Sequence, residues 1–249
     1  GGPQVYLLNL LNFISDNYKC YVSFPKKNSQ ITEDLFKKNK IHCKSLSIET
    51  LSIKSSLIFL YCFYFFRDLY VIKNHIVKTK ADAVYIAGGS WQFKSVLAAW
   101  FAGKNIIWHL NDTKMNPIIL KIFSQLCKFS KNFIYASKKT KIYYGKFISH
   151  KVNDMIIPSS VSMKFFEKPI KTPEKHSLKV LTTANINPVK GFEMLIEVAK
   201  LAKINKLPLT FYVVGNVYKT QKNYFDKLMY QVKILNLNNI KFLGGSSNV

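Results

Sequence analysis

The residues of this sequence best suited to hold an anion lie in a loop between two apolar segments of its second half. Residues 178–182 form an apolar run typical of a strand, Pro188 interrupts the pattern, and apolar residues return at helical spacing after Gly191. In such a strand, loop and helix, the free N–H groups and positive dipole end of the helix face the carboxyl edge of the sheet. Lys190 adds a full positive charge beside them. The pattern therefore predicts an anion site around Lys190.

A second group of polar residues follows two apolar runs in the first half. The run 81–87 ends in Gly88-Gly89-Ser90, and the run 105–110 contains His109 near its end. Two parallel strands joined by a crossover helix place both loops on one edge of the sheet. We therefore expect Gly89, Ser90, Trp91 and His109 to share a cleft. An isolated histidine at a strand end is more often structural than catalytic, so both interpretations of His109 stay open.

The elements that must position these residues alternate between strand and helix. Alternation of this kind predicts an α/β fold with parallel sheets. Ser137 is a candidate N-cap of the helix that follows a strand at 132–136. The predicted strands are 18–24, 41–46, 81–87, 105–110, 132–136, 179–183, 209–214 and 240–243, and helices are predicted at 5–14, 31–39, 190–204 and 223–235.

Residues 57–66 are the most apolar stretch of the chain. This stretch is too short to cross a bilayer, which takes about 20 residues. We interpret it as a buried helix, with a helix lying in the membrane interface as the weaker alternative.

Composition limits the class of protein. The 249 residues carry a formal net charge of +24, with 37 basic residues of which only Arg67 is arginine. Such a surface suits anionic lipid headgroups and polyphosphate ligands, although arginine is the better residue for reading bases. There is no helix-turn-helix, zinc or RNA-reading motif, so no specific nucleic-acid partner is expected. No G-x-G-x-x-G follows a strand, which disfavours a dehydrogenase.

The cysteines and histidines give no metal-binding pattern. Cys20, Cys43, Cys62 and Cys127 are scattered, without a C-x-x-C pair or a histidine at ligand spacing. We expect a reduced, cytoplasmic protein without a metal or other cofactor.

The segment from Ala184 to Phe192 resembles the donor-binding loop of retaining glycosyltransferases of family 4, which have the two-domain architecture called GT-B. In that family a Gly-Arg pair and a later Lys-Gly pair hold the diphosphate of a nucleotide-sugar. Here Ala184-Asn185 stands where Gly-Arg is common, and Lys190-Gly191 matches the second pair. The resemblance thus implies two Rossmann-like parallel-sheet domains, with the second one incomplete, and donor contacts from Asn185, Lys190 and Gly191.

The resemblance assigns roles to further residues. Gly1 and Gly2 match the loop that lies against the donor diphosphate and the acceptor, and Gly215 with Asn216 match a turn close to the nucleotide. The histidine of this strand end contacts the sugar or the acceptor hydroxyl in the family. The resemblance therefore implies catalytic roles for His109 and Lys190. The residues implied on the acceptor side are Gly89, Ser90, Trp91 and Asp112.

The resemblance also implies the domain organisation. We expect an acceptor-side domain at 1–160 without its first strand, a linker at 161–178, and a truncated nucleotide-sugar domain at 179–249. The segment 155–166 resembles the family's crossing between domains. No pair of glutamates matches the Glu-x7-Glu pattern of the family. We expect that pattern in an absent C-terminal part, which would leave the piece inactive.

The predicted function is the retaining transfer of a sugar, of hexosyltransferase type, from a nucleotide-diphosphate-sugar to a glycan or lipid-linked acceptor. Cell-envelope polysaccharide or lipopolysaccharide synthesis is the expected setting, with a cytoplasmic protein that docks peripherally on the anionic inner face of the membrane. Two alternatives remain: a nucleotide-sugar epimerase of the same fold, and a basic binding module without catalysis.

Overall fold

The computed structural model describes residues 2–27, 29–51, 55–158 and 178–246. The chain divides into two compact units, Gly1–Glu167 and Lys168–Val249. Most of the expected inter-domain crossing and linker, at residues 159–177, lies outside the described residues.

The first unit alternates between helices and strands along the sequence. Its elements are α1 (Gly2–Ile14), β1 (Tyr21–Pro25), α2 (Gln30–Lys38), β2 (His42–Leu46), α3 (Ser55–Phe63), α4 (Phe65–Lys78), β3 (Ala83–Ile86), α5 (Phe93–Phe101), β4 (Asn105–Leu110), α6 (Pro117–Leu126), β5 (Asn132–Tyr135), α7 (Lys138–Gly145) and β6 (Asn153–Ile156).

The strands of the first unit form two groups, both parallel. Strands β1 and β2 pair with each other, and a four-stranded sheet has the order β3-β4-β5-β6. Within it, Ile86 is opposite Trp108 and Leu110 is opposite Tyr135, so β3, β4 and β5 end at the same edge. The parallel arrangement predicted from the strand and helix alternation is confirmed.

The core of the first unit lies around β4. Trp108 is fully buried, and its ring lies 4.9 Å from that of Phe123 on α6 and 6.2 Å from that of Phe133 on β5. Tyr144 of α7 packs on Phe123 with ring centroids 5.0 Å apart. Aromatic pairs at these separations add to the stabilisation from burial. They fix β4, and hence His109, relative to α6 and α7.

The second unit is a three-stranded parallel sheet with helices. Strand β7 (Leu178–Thr183) pairs with β8 (Leu209–Val214), which pairs with β9 (Ile240–Gly244), and the helices are α8 (Phe192–Ile204) and α9 (Lys222–Ile234). Its core contains Phe192 and Ile196 from α8, Phe211 and Val213 from β8, and Leu228 from α9. This core consists of residues of the second unit alone.

One prediction from the sequence is wrong. The stretch 57–66, interpreted as a buried helix, spans α3 and the start of α4, and only one side of it is buried. Tyr61 is buried, whereas Phe59, Phe63 and Phe66 are exposed. An all-apolar helix carries no pattern that says which face is covered, and here neighbouring elements cover one face only. Within the described ranges, no helix is long and apolar enough to span a membrane.

Candidate functional site

The β3–α5 loop of the first unit has a backbone that only glycine adopts readily. Gly88 and Gly89 have φ angles of +113° and +98°. The carbonyl of Gly89 accepts a hydrogen bond of 3.0 Å from the indole Nε1 of Trp108. A Cβ on Gly89 would lie 2.5 Å from Asp112 Oδ2 and 2.5 Å from the ring of Trp91. The absence of a side chain at Gly89 thus lets the loop lie directly against the Asp112 carboxylate.

His109 is held inside this edge of the sheet with one ring nitrogen left unbonded. The residue is 3% exposed, and its Nδ1 lies 2.5 Å from the hydroxyl of Tyr85 on β3. Its Nε2 is buried without a hydrogen-bond partner among the described residues. Burial lowers the pKa of His109 to about 4, so the ring is neutral at pH 7. Tyr85 occupies Nδ1, and Nε2 is therefore the nitrogen free to bond a ligand.

Asp112 presents a second unbonded polar atom. The hydroxyl of Tyr144 donates to Asp112 Oδ1 and also lies 3.1 Å from Ser90 Oγ. Asp112 Oδ2 is buried and has no partner within the described ranges. Burial raises the pKa of Asp112, and the bond from Tyr144 offsets part of that rise. The free carboxylate oxygen is a strong acceptor for a ligand hydroxyl, since buried polar groups are normally hydrogen-bonded.

Helix α7 fixes the loop that carries Asp112. Ser137 caps the helix by accepting a bond of 3.1 Å from the N–H of Thr140, which confirms the predicted cap. The hydroxyl of Tyr143 accepts a bond of 3.1 Å from the N–H of Met115, and Tyr144 holds Asp112. The loop after β4 is therefore held at two points by neighbouring tyrosines.

Tyr85 and Tyr144 are not identified as site residues from the sequence, although the positions of both in the sequence pattern place them near the site. Tyr85 lies on β3 opposite Ile107 of β4, so it shares a face with His109, two residues further on. Tyr144 follows the Ser137 cap at i+7, and hence lies on the same side of α7. The strand register and the helix period would have found them only once the boundaries of β3, β4 and α7 were known.

The beginning of α1 also lies at this site. Gly1 is outside the described residues, and Gly2 is the first residue of α1. One turn later, the ring of Tyr6 lies 5.1 Å from that of His109. The N-terminal part of α1 therefore contributes to the cluster that contains His109 and Asp112, which we call the acceptor-side cluster. Its other members are Tyr6, Tyr85, Gly89, Ser90, Trp91 and Tyr144.

In the second unit, the predicted anion loop connects β7 to α8. A 3-10 turn at Pro188–Lys190 precedes Gly191, whose φ of +68° is left-handed. The Oδ1 of Asn187 accepts a bond of 3.1 Å from the N–H of Val189, so the turn is fixed locally. Gly191 has no side chain to cap α8, which leaves the helix end open to a ligand. Lys190 is exposed, and its ammonium has no partner among the residues described.

Gly215 and Asn216 lie beside this loop at the carboxyl end of β8. A Cβ on Gly215 would collide with the backbone carbonyl of Ala184. The carbonyl of Asn216 accepts a bond of 3.0 Å from the N–H of Ile186. Asn185, like Asn216, is exposed. The structure thus brings the second-unit residues named from the sequence to one edge of one sheet, which we call the donor loop edge: Asn185, Lys190, Gly191, Gly215 and Asn216.

One acidic residue stands at the donor loop edge. Glu193 lies in the first turn of α8, where a carboxylate competes with an anionic ligand for the helix end. The hydroxyl of Tyr224 on α9 donates to Glu193 Oε2 at 2.7 Å. This bond holds the carboxylate against α9. Over the described part of the chain, no group of three or more His, Cys, Asp or Glu residues is arranged to hold a metal ion.

No protein-family model matches the chain. No curated protein sequence matches it either.

Solved structures do match the fold, which is that of the GT-B class with two Rossmann-like domains. HepE from Anabaena, crystallised in complex with UDP and glucose, matches with a TM-score of 0.77 at 18% identity over 99% of this chain. A glycosyltransferase from Rickettsia africae gives 0.70 at 15% identity over 99% of the chain. The lipopolysaccharide outer core galactosyltransferase WaaB, in its apo form, gives 0.62 at 13% identity, also over 99%. The chain spans 66%, 64% and 65% of the lengths of these three proteins.

Proposed function

We propose that this chain functions as a glycosyltransferase that takes a sugar from a nucleotide-diphosphate-sugar. The observation that carries the proposal is the donor loop edge, where an exposed lysine and an uncapped helix end follow a parallel strand. A diphosphate is the ligand that this combination of N–H groups and positive charge suits. The crystallised complex of HepE with UDP and glucose, a protein of the same fold, supports the choice of ligand.

Lys190 acts on the leaving group in this proposal. Cleavage of the bond between the sugar and the nucleoside diphosphate places developing negative charge on the phosphate oxygens. Lys190 and the N–H groups at the start of α8 stabilise that charge. Asn185 and Asn216 offer neutral hydrogen bonds to the nucleotide, and the absence of side chains at Gly191 and Gly215 allows the backbone to lie close to it.

The acceptor-side cluster supplies the second half of the chemistry. Among the described residues of this cluster, His109 Nε2, Asp112 Oδ2 and the Tyr6 hydroxyl are buried without hydrogen-bond partners, and the first two can bond a sugar or acceptor hydroxyl. We assign His109 a catalytic role through contact with the reacting hydroxyl. Gly89, Ser90, Trp91 and Asp112 line the acceptor in this proposal, and Gly1 and Gly2 are assigned to the donor because the family resemblance implies it.

We further propose that the transfer retains the anomeric configuration, as the resemblance of Lys190-Gly191 to the family 4 loop implies. In that mechanism the departing phosphate takes the proton of the acceptor hydroxyl, so no protein base is required. We also propose that no metal is needed, because Lys190 and backbone N–H groups supply the positive charge. UDP binding is then expected to be the same with and without a chelator.

The acceptor that we propose is a glycan or a lipid-linked sugar, and the transferred sugar is a hexose. WaaB acts in lipopolysaccharide outer core synthesis, and this fold neighbour supports a role in cell-envelope polysaccharide or lipopolysaccharide synthesis. A cytoplasmic location is proposed because the donors of such reactions are nucleotide-sugars.

Binding of UDP tests the proposal directly. Lys190→Ala is expected to weaken UDP binding about tenfold to hundredfold, because a charge-assisted contact contributes about 1.5–3 kcal/mol. Isothermal titration calorimetry of the 249-residue chain measures the change. Lys190→Arg keeps the charge and should retain most of the affinity.

Lys179→Ala is the matched control, since Lys179 is an exposed lysine near the start of β7, at the opposite end of the same strand. It is expected to leave the affinity unchanged. Equal loss in the Lys179 and Lys190 variants would mean that general charge attracts UDP, and no loss in either would remove Lys190 from the site. Failure of the wild-type chain to bind any nucleoside diphosphate would overturn the proposed function.

A further inference from the structure

An exposed aromatic stripe runs along α3 and α4. Phe59, Phe63, Phe66 and Tyr70 are 67%, 68%, 80% and 64% exposed. Their spacing of four, three and four residues places them on one side of the two consecutive helices. Cys62 is exposed among them, and Val77 continues the stripe at 51% exposure. An apolar surface of this extent on a charged protein marks an interaction site.

A buried ion pair prevents the helices from rotating to bury this stripe. On the opposite side of α4, Asp68 is fully buried and bonds Lys94 of α5 at 2.7 Å and the N–H of Glu49 at 2.8 Å. Lys94 also lies 3.7 Å from the centre of the Tyr61 ring on α3. Rotation would leave the buried charges unpaired, which is costly. The ion pair on the opposite side of α4 therefore keeps the stripe exposed to solvent.

Charge indicates which partner covers the stripe. Residues 50–81 include five basic residues and one acidic residue, and that acidic residue is the buried Asp68. Lys78 is exposed beside the stripe, and Lys73 lies between Tyr70 and Val77 in the sequence, whereas Arg67 is ion-paired with Asp68 at 2.6 Å. A second copy of a chain with a net charge of +24 would be repelled from such a face. An anionic lipid surface meets both the aromatic and the basic requirement.

We infer that α3 and α4 form a membrane-docking surface that lies in the interface of a bilayer rich in anionic lipid. The aromatic side chains insert at the level of the headgroups, and the flanking Lys73 and Lys78 pair with lipid phosphates. The inference goes beyond the proposed function, because vesicle binding and UDP binding are separate measurements. Lys94 ties α4 to the start of α5, directly after the Gly88–Gly89 loop. The docking surface and the acceptor-side cluster thus belong to one packed region.

Vesicle co-sedimentation tests the inference with the whole chain. We expect binding to vesicles that contain phosphatidylglycerol and little binding to pure phosphatidylcholine vesicles. Phe63→Ser/Phe66→Ser should lower the partition coefficient about tenfold or more, since burial of one aromatic side chain already contributes about that much. Leu201→Ser/Ile204→Ser, on the exposed side of α8, is the matched control and should change nothing. UDP affinity and circular dichroism should be the same in all variants.

A dye on Cys62 locates the contact. In a Cys20→Ser/Cys43→Ser background, Cys62 is the exposed cysteine, because Cys127 is buried. An environment-sensitive fluorophore at Cys62 should shift to the blue only when anionic vesicles are added, and Lys73→Gln/Lys78→Gln should weaken this binding about fivefold per lysine. A shift that depends on protein concentration without vesicles would show a second copy on the stripe. Equal binding to both lipids, or unchanged binding of the Phe63 and Phe66 variant, would overturn the inference.

Discussion

At the scale of single residues, His109 makes stability depend on pH. Its pKa falls from an ordinary value near 6.5 to about 4 on folding, so between these values the unfolded chain binds a proton that the folded chain does not. Stability contributed by the neutral ring is therefore complete above pH 6.5 and is lost as the pH falls toward 4. Between about pH 7 and pH 5 the loss is about 2 kcal/mol.

Urea denaturation followed by tryptophan fluorescence measures this loss, because Trp91, Trp100 and Trp108 all lie in the first unit. Other groups also titrate in this range, so the informative quantity is the difference between the wild-type chain and His109→Gln. The variant should show the shallower pH dependence. Identical slopes in the two proteins would mean that His109 is solvated in solution.

Tyr144 carries the second prediction at the residue scale. Tyr144→Phe removes the donor to Asp112 Oδ1 and the partner of Ser90 Oγ, and both atoms belong to the buried cluster. Unsatisfied buried polar groups cost about 1–3 kcal/mol, and we expect the free energy of unfolding to fall by that amount. Tyr143→Phe is the control and should cost less, because it leaves one polar group without its partner, the Met115 N–H, where Tyr144→Phe leaves two.

How far the sequence predicts the site depends on the kind of contact. The strand pattern predicts that Gly89, Ser90 and His109 lie together, because they directly follow or end predicted strands and parallel strands gather such residues at one edge. Asp112 is assigned through the family resemblance. Tyr144 bonds Asp112 across 32 residues. Such a contact depends on where α7 packs, which no local pattern specifies.

At the scale of elements, Gly215 controls the distance between two loops. A Cβ at this position would collide with the carbonyl of Ala184, so Gly215→Ala must displace either β8 or the donor loop edge. We expect a loss of stability of about 3 kcal/mol or more in the second unit, together with loss of UDP binding. Hydrogen exchange of the β7 and β8 amides is the appropriate measurement, since the second unit contains no tryptophan.

Gly145→Ala provides the matched glycine control. Gly145 ends α7, and a Cβ added at this position would have no other atom within 4 Å. Alanine favours the helix, so this variant should be as stable as wild type or more stable by up to about 1 kcal/mol. Normal exchange in Gly215→Ala would mean that the Ala184 loop moves aside at little cost.

Periodicity explains which elements were predictable. Strands β3, β4, β7 and β8 are short apolar runs bounded by glycine or polar residues, and their parallel pairing followed from the helices between them. The pair α3 and α4 was misinterpreted because burial depends on neighbours as well as on composition. A continuous apolar run predicts a helix that avoids water, and it does not distinguish a protein core from a lipid surface.

At the scale of the whole molecule, the net charge of +24 is spread over 36 lysines and one arginine. Such a surface attracts any polyanion, and this attraction is lost with salt because counterions compete. A ligand that sits at a helix end with a matched lysine depends on local geometry instead. The salt dependence of ligand binding, rather than the affinity itself, therefore distinguishes a non-specific binding module from a nucleotide-sugar enzyme.

Between about 50 mM and 200 mM salt, affinity for a random DNA duplex should fall about a hundredfold or more, whereas affinity for UDP should fall only a few-fold. Fluorescence anisotropy with labelled DNA and calorimetry with UDP give the two slopes. Lys190→Ala should weaken UDP binding about tenfold to hundredfold and leave DNA binding nearly unchanged, because it deletes one of 36 lysines. Parallel slopes for both ligands would instead establish the chain as a polyanion-binding module, since charge alone would then account for the binding of both.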